Sequence, residues 1–191
     1  MIVALALGLA LGIQAFLIKP YQIPSGSMEP TLHIGQRVLV NRFLYHFSSP
    51  KIGDIVVFHP PAGADNGRQC GFPHDPDQAC SQPTPQESSQ NFIKRIVAGP
   101  GDRLSIHNGQ AIVNGQNDPA ANDHARHNCV GSNTDGCNLP KPITIPPGEY
   151  FMMGDNRGSS DDSRFWGPVP QKWFIGKAFA TYWPPDRIGF L

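Results

Sequence analysis

The sequence predicts a mainly β fold: an antiparallel β-rich domain tethered by one N-terminal transmembrane helix. Three observations carry this. The 191 residues include 20 Gly and 20 Pro, a composition that favours turns and short strands over long helices. Short runs rich in β-branched residues recur along the chain, each bounded by turn residues. Beyond residue 19, no stretch keeps an apolar helical period for three turns.

Residues 2–18 are apolar apart from Gln14 and carry no charge. As a helix they rise about 26 Å, enough to cross a hydrocarbon core of about 30 Å when flanking residues snorkel. Pro20 ends the run, so residues 1–19 read as the anchor and 20–191 as the β-rich domain. A cleaved signal peptide is the rival reading. It would want a charged start and a small-x-small site, where Lys19-Pro20-Tyr21 stands instead. No Lys or Arg precedes the run and Lys19 follows it, so positive charge gives no support for an external domain.

Past the anchor, Arg37-Val38-Leu39-Val40 and Asp54-Ile55-Val56-Val57-Phe58 read as strands, each shortly after a glycine. Phe92-Ile93-Lys94-Arg95-Ile96-Val97 is a third strand-like stretch. Leu104-Ser105-Ile106-His107 alternates, turns at Asn108-Gly109 and resumes as Gln110-Ala111-Ile112-Val113, the strongest short hairpin signal available. Residues 149–153 and 173–183 read as two more strands, and 160–165 as one short helical turn. Two polar, Pro- and Asx-rich insertions, at about 60–91 and 114–147, interrupt this pattern.

Acidic and basic residues balance at 15 each, so no global charge points to nucleic acid as a partner. All four cysteines, Cys70, Cys80, Cys129 and Cys137, lie in the insertions. An even count in loops fits disulfides formed in an oxidising compartment, and short separation favours Cys70 with Cys80 and Cys129 with Cys137 among the three possible pairings. Free thiols are the alternative. A metal site is a third reading, since His74 lies between Cys70 and Cys80 and His124 and His127 precede Cys129. These spacings match no closed zinc pattern.

The chemistry-bearing stretch is Pro24-Ser25-Gly26-Ser27-Met28-Glu29-Pro30, stiffened by its prolines and able to present a serine hydroxyl at a fixed angle. The same stretch taken alone is also an ordinary turn. A nucleophilic serine needs a base, and of the seven histidines only His33 is near it in sequence. Lys94, between Phe92-Ile93 and Ile96-Val97, is the better candidate. Burial among apolar neighbours disfavours an ammonium and can leave a neutral amine near pH 7. In isolation such a lysine also reads as a solvated edge charge.

Four blocks, taken together, resemble the type I signal peptidases, membrane-anchored proteases that remove signal peptides from exported proteins. They are the serine segment, then Gly53-Asp54-Ile55-Val56-Val57-Phe58, then Ile93-Lys94-Arg95-Ile96-Val97-Ala98-Gly99-Pro100-Gly101-Asp102, and last the stretch from Met153-Gly154-Asp155-Asn156-Arg157 through Ser160-Asp161-Asp162-Ser163-Arg164 to Gly167. The insertions carry no such resemblance. The likeness implies a Ser/Lys dyad of Ser27 and Lys94. It implies that Ser25 donates to the oxyanion and that Ser160 orients the lysine. Arg95, Asp155, Asp162 and Arg164 match charged residues that hold the site's loops. Tyr21, Ile23, Met28, Leu32 and Ile93 match positions lining the first and third substrate pockets, whose bulk implies a small-x-small cleavage motif. Lysine at position 94 resembles the prokaryotic form, since relatives of the endoplasmic reticulum carry histidine there. A dyad of this kind requires no metal or cofactor. The implied partners are signal peptides of secretory preproteins and the lipid bilayer, with the catalytic domain on the extracytoplasmic side of the cell membrane.

Overall fold

A computed structural model describes residues 17–118 and 135–191, together with residues 12 and 129. Nearly all of the apolar segment read as a membrane anchor lies outside these residues. Among the described residues no helix is long and apolar enough to cross a membrane.

In chain order the strands are β1 (Ile18–Gln22), β2 (Arg37–Asn41), β3 (Ile55–Phe58), β4 (Phe92–Ala98), β5 (Arg103–His107), β6 (Gln110–Val113), β7 (Gln116–Asn117), β8 (Leu139–Thr144), β9 (Glu149–Met153), β10 (Val169–Pro170), β11 (Phe174–Trp183) and β12 (Gly189–Phe190). One sheet runs β1-β2-β11-β3-β4-β9-β10, with β12 paired to β11; a second runs β7-β6-β5-β8. Every pairing between these strands is antiparallel. The fold is thus mainly β, as its composition implies.

Local chemistry explains most of these elements. Asn108 and Gly109 both take positive φ, 51° and 77°, which a two-residue hairpin turn needs to match the twist of β5 and β6. Two features differ from the sequence reading. Ile18 and Lys19, assigned to the end of the anchor, belong to β1 and pair with Asn41 and Val40 of β2. The insertion at 114–147 contains β7 and β8. Strand β8 reads as a loop because Pro140 and Pro142 cannot donate to a ladder, so it is tolerated only where those positions need no donor.

The main sheet is covered on both faces, because successive residues of β3 point opposite ways. Val56 and Phe58 pack with Ile96, Met152, Trp166 and Trp173. Ile55 and Val57 pack with Val38, Val40 and Ala178 beneath Ile23, Met28 and Leu32. The segment between β1 and β2 is therefore held down by three buried apolar side chains, and the hydroxyl-bearing turn is carried between them. A one-turn helix, α1 (Ser163–Trp166), starts at Asp162, whose side chain accepts the Arg164 N–H as an N-cap. Trp166 anchors it, with ring centroids 6.1 Å from Phe58 and 6.5 Å from Phe92.

Candidate active site

Ser27 lies in a single 3-10 turn, Gly26–Met28, that follows an extended Ser25. The turn brings its side chain onto Lys94 of β4, 67 residues away in sequence, and Lys94 Nζ donates to Ser27 Oγ at 2.7 Å. Both side chains are buried, at 7 % and 5 % exposure. That burial governs the amine. Loss of water pulls the Lys94 pKa from 10.5 down to about 8, with Arg164 acting in the same direction. Asp162, Asp161 and Asp155 oppose the shift without cancelling it. Phe92 adds a ring face 5.6 Å from Nζ. Ser25, exposed at the rim, places its Oγ 3.4 Å from Ser27 Oγ. His33 points elsewhere, its Nδ1 3.9 Å from Glu29 Oε1.

Two buried ion pairs frame this contact. Arg95, next to Lys94 on β4, makes a two-pronged bond to Asp155 (2.8 and 2.7 Å) and donates a third to the Gly53 carbonyl. Arg164 grips Asp162 in the same way (2.7 and 2.9 Å) and also donates to the carbonyls of Arg157 and Ser160. Burial pushes the Asp162 carboxyl upward, but the Arg164 guanidinium, then Lys94 and Ser160, more than offset this and hold it below the usual carboxylate range. Such pairs are weak evidence of stability, because desolvation consumes much of their attraction. Their geometric value is larger, since Arg95 ties Asp155 to the Gly53 carbonyl of another segment and Arg164 ties Asp162 to the Arg157 and Ser160 carbonyls of its own loop.

The structure adds residues to which the sequence reading gave no role. Asn156 donates its backbone N–H to the Ser27 carbonyl and its side-chain amide to the Gly26 carbonyl, both at 3.0 Å. Thr31 Oγ1 donates to Asp155, tying the far end of the serine loop to the same block. Arg157 is fully buried and bridges the carbonyls of Gly154 and Gly109. Asn156, Arg157 and Gly154 stand inside a block already singled out in the sequence. Only three-dimensional contact shows what they hold.

Ser160, expected to orient the lysine, has its Oγ buried beside Gly154 and helps to hold the Asp162 carboxyl down, while the hydrogen bond of the Lys94 amine goes to Ser27. Of the five expected pocket residues, Ile23, Met28 and Leu32 are buried in the cluster beneath the serine loop, and Tyr21 and Ile93 pack partly exposed against it. The cysteines form two disulfides, Cys70–Cys80 and Cys129–Cys137.

The family described as signal peptidase, peptidase S26, matches residues 1–183. A signal peptidase I of Leptolyngbya laminosa is 35% identical over 189 residues, 99% of this chain and 80% of its own. A probable signal peptidase I-1 of Synechocystis is 37% identical over 186 residues, 97% of this chain and 82% of its own. A signal peptidase I of Pseudomonas fluorescens is 32% identical over 215 aligned residues, 96% of this chain and 72% of its own.

Proposed function

This chain belongs to the signal peptidase family, peptidase S26, and from that membership and the contact at Ser27 we propose that it is a membrane-bound serine endopeptidase working through a Ser27/Lys94 dyad. Removal of N-terminal signal peptides from preproteins is the activity that family membership carries. The single observation behind the mechanism is a buried amine 2.7 Å from a buried serine hydroxyl. Neutral Lys94 accepts the Ser27 proton as Oγ attacks the scissile carbonyl. The oxyanion that develops lies near the Ser25 hydroxyl and the Ser27 N–H, groups able to donate to it. Lys94, now an ammonium, returns the proton to the leaving amine, and a second cycle with water releases the acyl group from Ser27. Arg95, Asp155, Asp162 and Arg164 keep the two halves of the site in register, and Asn156 fixes the serine turn through its carbonyls.

Strand β1 lies at one end of the main sheet, so an extended substrate has a backbone edge to pair with just before the serine loop. Alternate substrate side chains then meet Tyr21 and Ile93, with Ile23, Met28 and Leu32 closing the floor behind them. Such a floor leaves shallow pockets and selects small residues at the cut and two places before it. The apolar run at residues 2–18, nine residues before Ser27, keeps the site against the bilayer where a signal peptide's apolar segment resides. Reconstituted into proteoliposomes and given a secretory preprotein, the chain is expected to resist alkaline extraction and to cut after a small-x-small motif. N-terminal sequencing of the product checks the cut. Equal cleavage with Leu or Phe just before it would remove the shallow-pocket argument.

The rate should rise with pH through about 8, because only the neutral amine can accept the proton and burial has brought its titration down to that value. Below the limb, each pH unit should lower kcat/KM by about tenfold as the ammonium form takes over. A limb that shifts when His33 is replaced would assign the base elsewhere.

A further inference from the structure

We propose that Arg68, in the first insertion, is a positioning residue for the site: it holds the Ser160-Asp161-Asp162 segment beside Lys94 and couples both insertions to it. The proposal builds on Lys94 being the base.

Three contacts converge on the one side chain. Arg68 Nε lies 2.9 Å from Asp161 Oδ1, a guanidinium nitrogen lies 3.5 Å from Asp135 Oδ2, and the guanidinium carbon sits 4.1 Å from the centre of the Phe165 ring. Asp135 belongs to the second insertion, and Asp161 and Phe165 flank the Asp162 and Arg164 of the buried pair. Arg68 has φ of 50°, a backbone conformation that non-glycine residues seldom adopt. The first insertion is docked independently, through the Cys80 N–H on the Arg164 carbonyl and the Cys70–Cys80 disulfide just after Arg68. Between the insertions and the site lies a cavity of about 310 Å³ lined by Arg68, Asp135, Arg157, Ser160, Asp161 and Phe165. Arg68 crosses the rim of this gap as a tie and fills no core, so its replacement need not disturb the packing.

Electrostatics give the tie a consequence. The charged groups that bear on Lys94 are Asp162, Asp161, Arg164 and Asp155; those that bear on Asp161 are Arg68, Asp162 and Lys94. Burial raises the Asp161 carboxyl and Arg68 draws it back down. Arg68 thus compensates an anion that would otherwise favour the ammonium form of Lys94. Asp161 is partly exposed, and without Arg68 its carboxyl group would bear on Lys94 uncompensated by that guanidinium. Removing Arg68 should therefore make Lys94 harder to deprotonate, and neutralising Asp161 should make it easier.

The test is the pH dependence of kcat/KM for the full chain in detergent micelles with a signal-peptide substrate, comparing Arg68→Gln, Asp161→Asn and both together. The acid limb should move up in Arg68→Gln and down in Asp161→Asn, each by about half a pH unit, the scale of a partly exposed pair. At a pH below the limb this reads as about a threefold loss and a threefold gain. The double variant should follow Asp161→Asn, because Arg68 acts through that carboxylate. A lowered plateau with the limb unmoved would mean that Arg68 is only structural, and would overturn the proposal. Lys94→Ala serves as the control for the base itself: residual activity with the same limb would refute the dyad, whereas an inactive Lys94→Ala with unmoved limbs in the other variants would refute only the role of Arg68.

Discussion

Ser27→Ala and Lys94→Ala should each lower preprotein cleavage by a factor on the order of 10⁴ to 10⁶, and the double variant should be no worse than either alone. The two side chains act as one unit: at 2.7 Å the amine has one reacting partner, and without it the hydroxyl has no proton acceptor. Folding should survive both changes, since neither residue belongs to the three apolar clusters. Lys94→Ala should even be stabilising at neutral pH. Lowering the pKa from 10.5 to about 8 means that burying the ammonium costs about 3 kcal/mol, a cost the alanine variant does not bear. The sign is fixed by linkage. Between about 8 and 10.5 the unfolded chain binds more protons at Lys94 than the folded one, so native stability rises with pH across that window and the advantage of the alanine variant fades. Cleavage assays and thermal melts at pH 7 and pH 10 check both halves. Turnover near normal in Lys94→Ala would end the dyad assignment.

Gly154→Ala should lower kcat/KM by about a hundredfold, the effect of displacing reacting groups by roughly 1 Å. A methyl group there would stand 2.2 Å from Ser160 Oγ and 2.4 Å from the Ser27 carbonyl, and the second of these is backbone that cannot swing aside. Strand β9 ends at Met153, Asp162 accepts the Gly154 N–H at 3.1 Å, and Arg157 donates to its carbonyl, so Gly154 cannot retreat either. The strain must go into the serine turn. Overpacking of this kind costs about 1–3 kcal/mol, which leaves the domain folded while moving Ser27 off Lys94. A loss in kcat with an intact melting transition is the expected signature. Full activity would mean that the turn tolerates displacement and that the Asn156 clamp on it is dispensable.

Much of the fold was legible because its determinants are local. The Asn108-Gly109 turn specifies its own hairpin, and β2, β3, β4, β9 and β11 announce themselves through β-branched and aromatic runs. Strand β8 escaped because two prolines mask it, and β1 because Ile18 and Lys19 continue an apolar run whose pattern cannot separate strand from helix end.

The residues of the candidate site were likewise nameable from the sequence, since their four blocks resemble one family, but their arrangement was not. The sequence by itself determined a β-rich chain, its family, and which serine and which lysine to examine. The tertiary structure alone decided that these two meet. It also decided that Asn156 clamps the serine turn, that Arg95 and Arg164 close on Asp155 and Asp162, and that Ser160 packs against Gly154. The physical reason is range. A turn or a strand is selected by neighbouring residues. The property that makes Lys94 reactive is the exclusion of water from one amine, and no short stretch of chain produces it. It follows from burial and from Asp155, Asp161, Asp162 and Arg164, all more than 60 residues away, brought close by the packing of the whole domain.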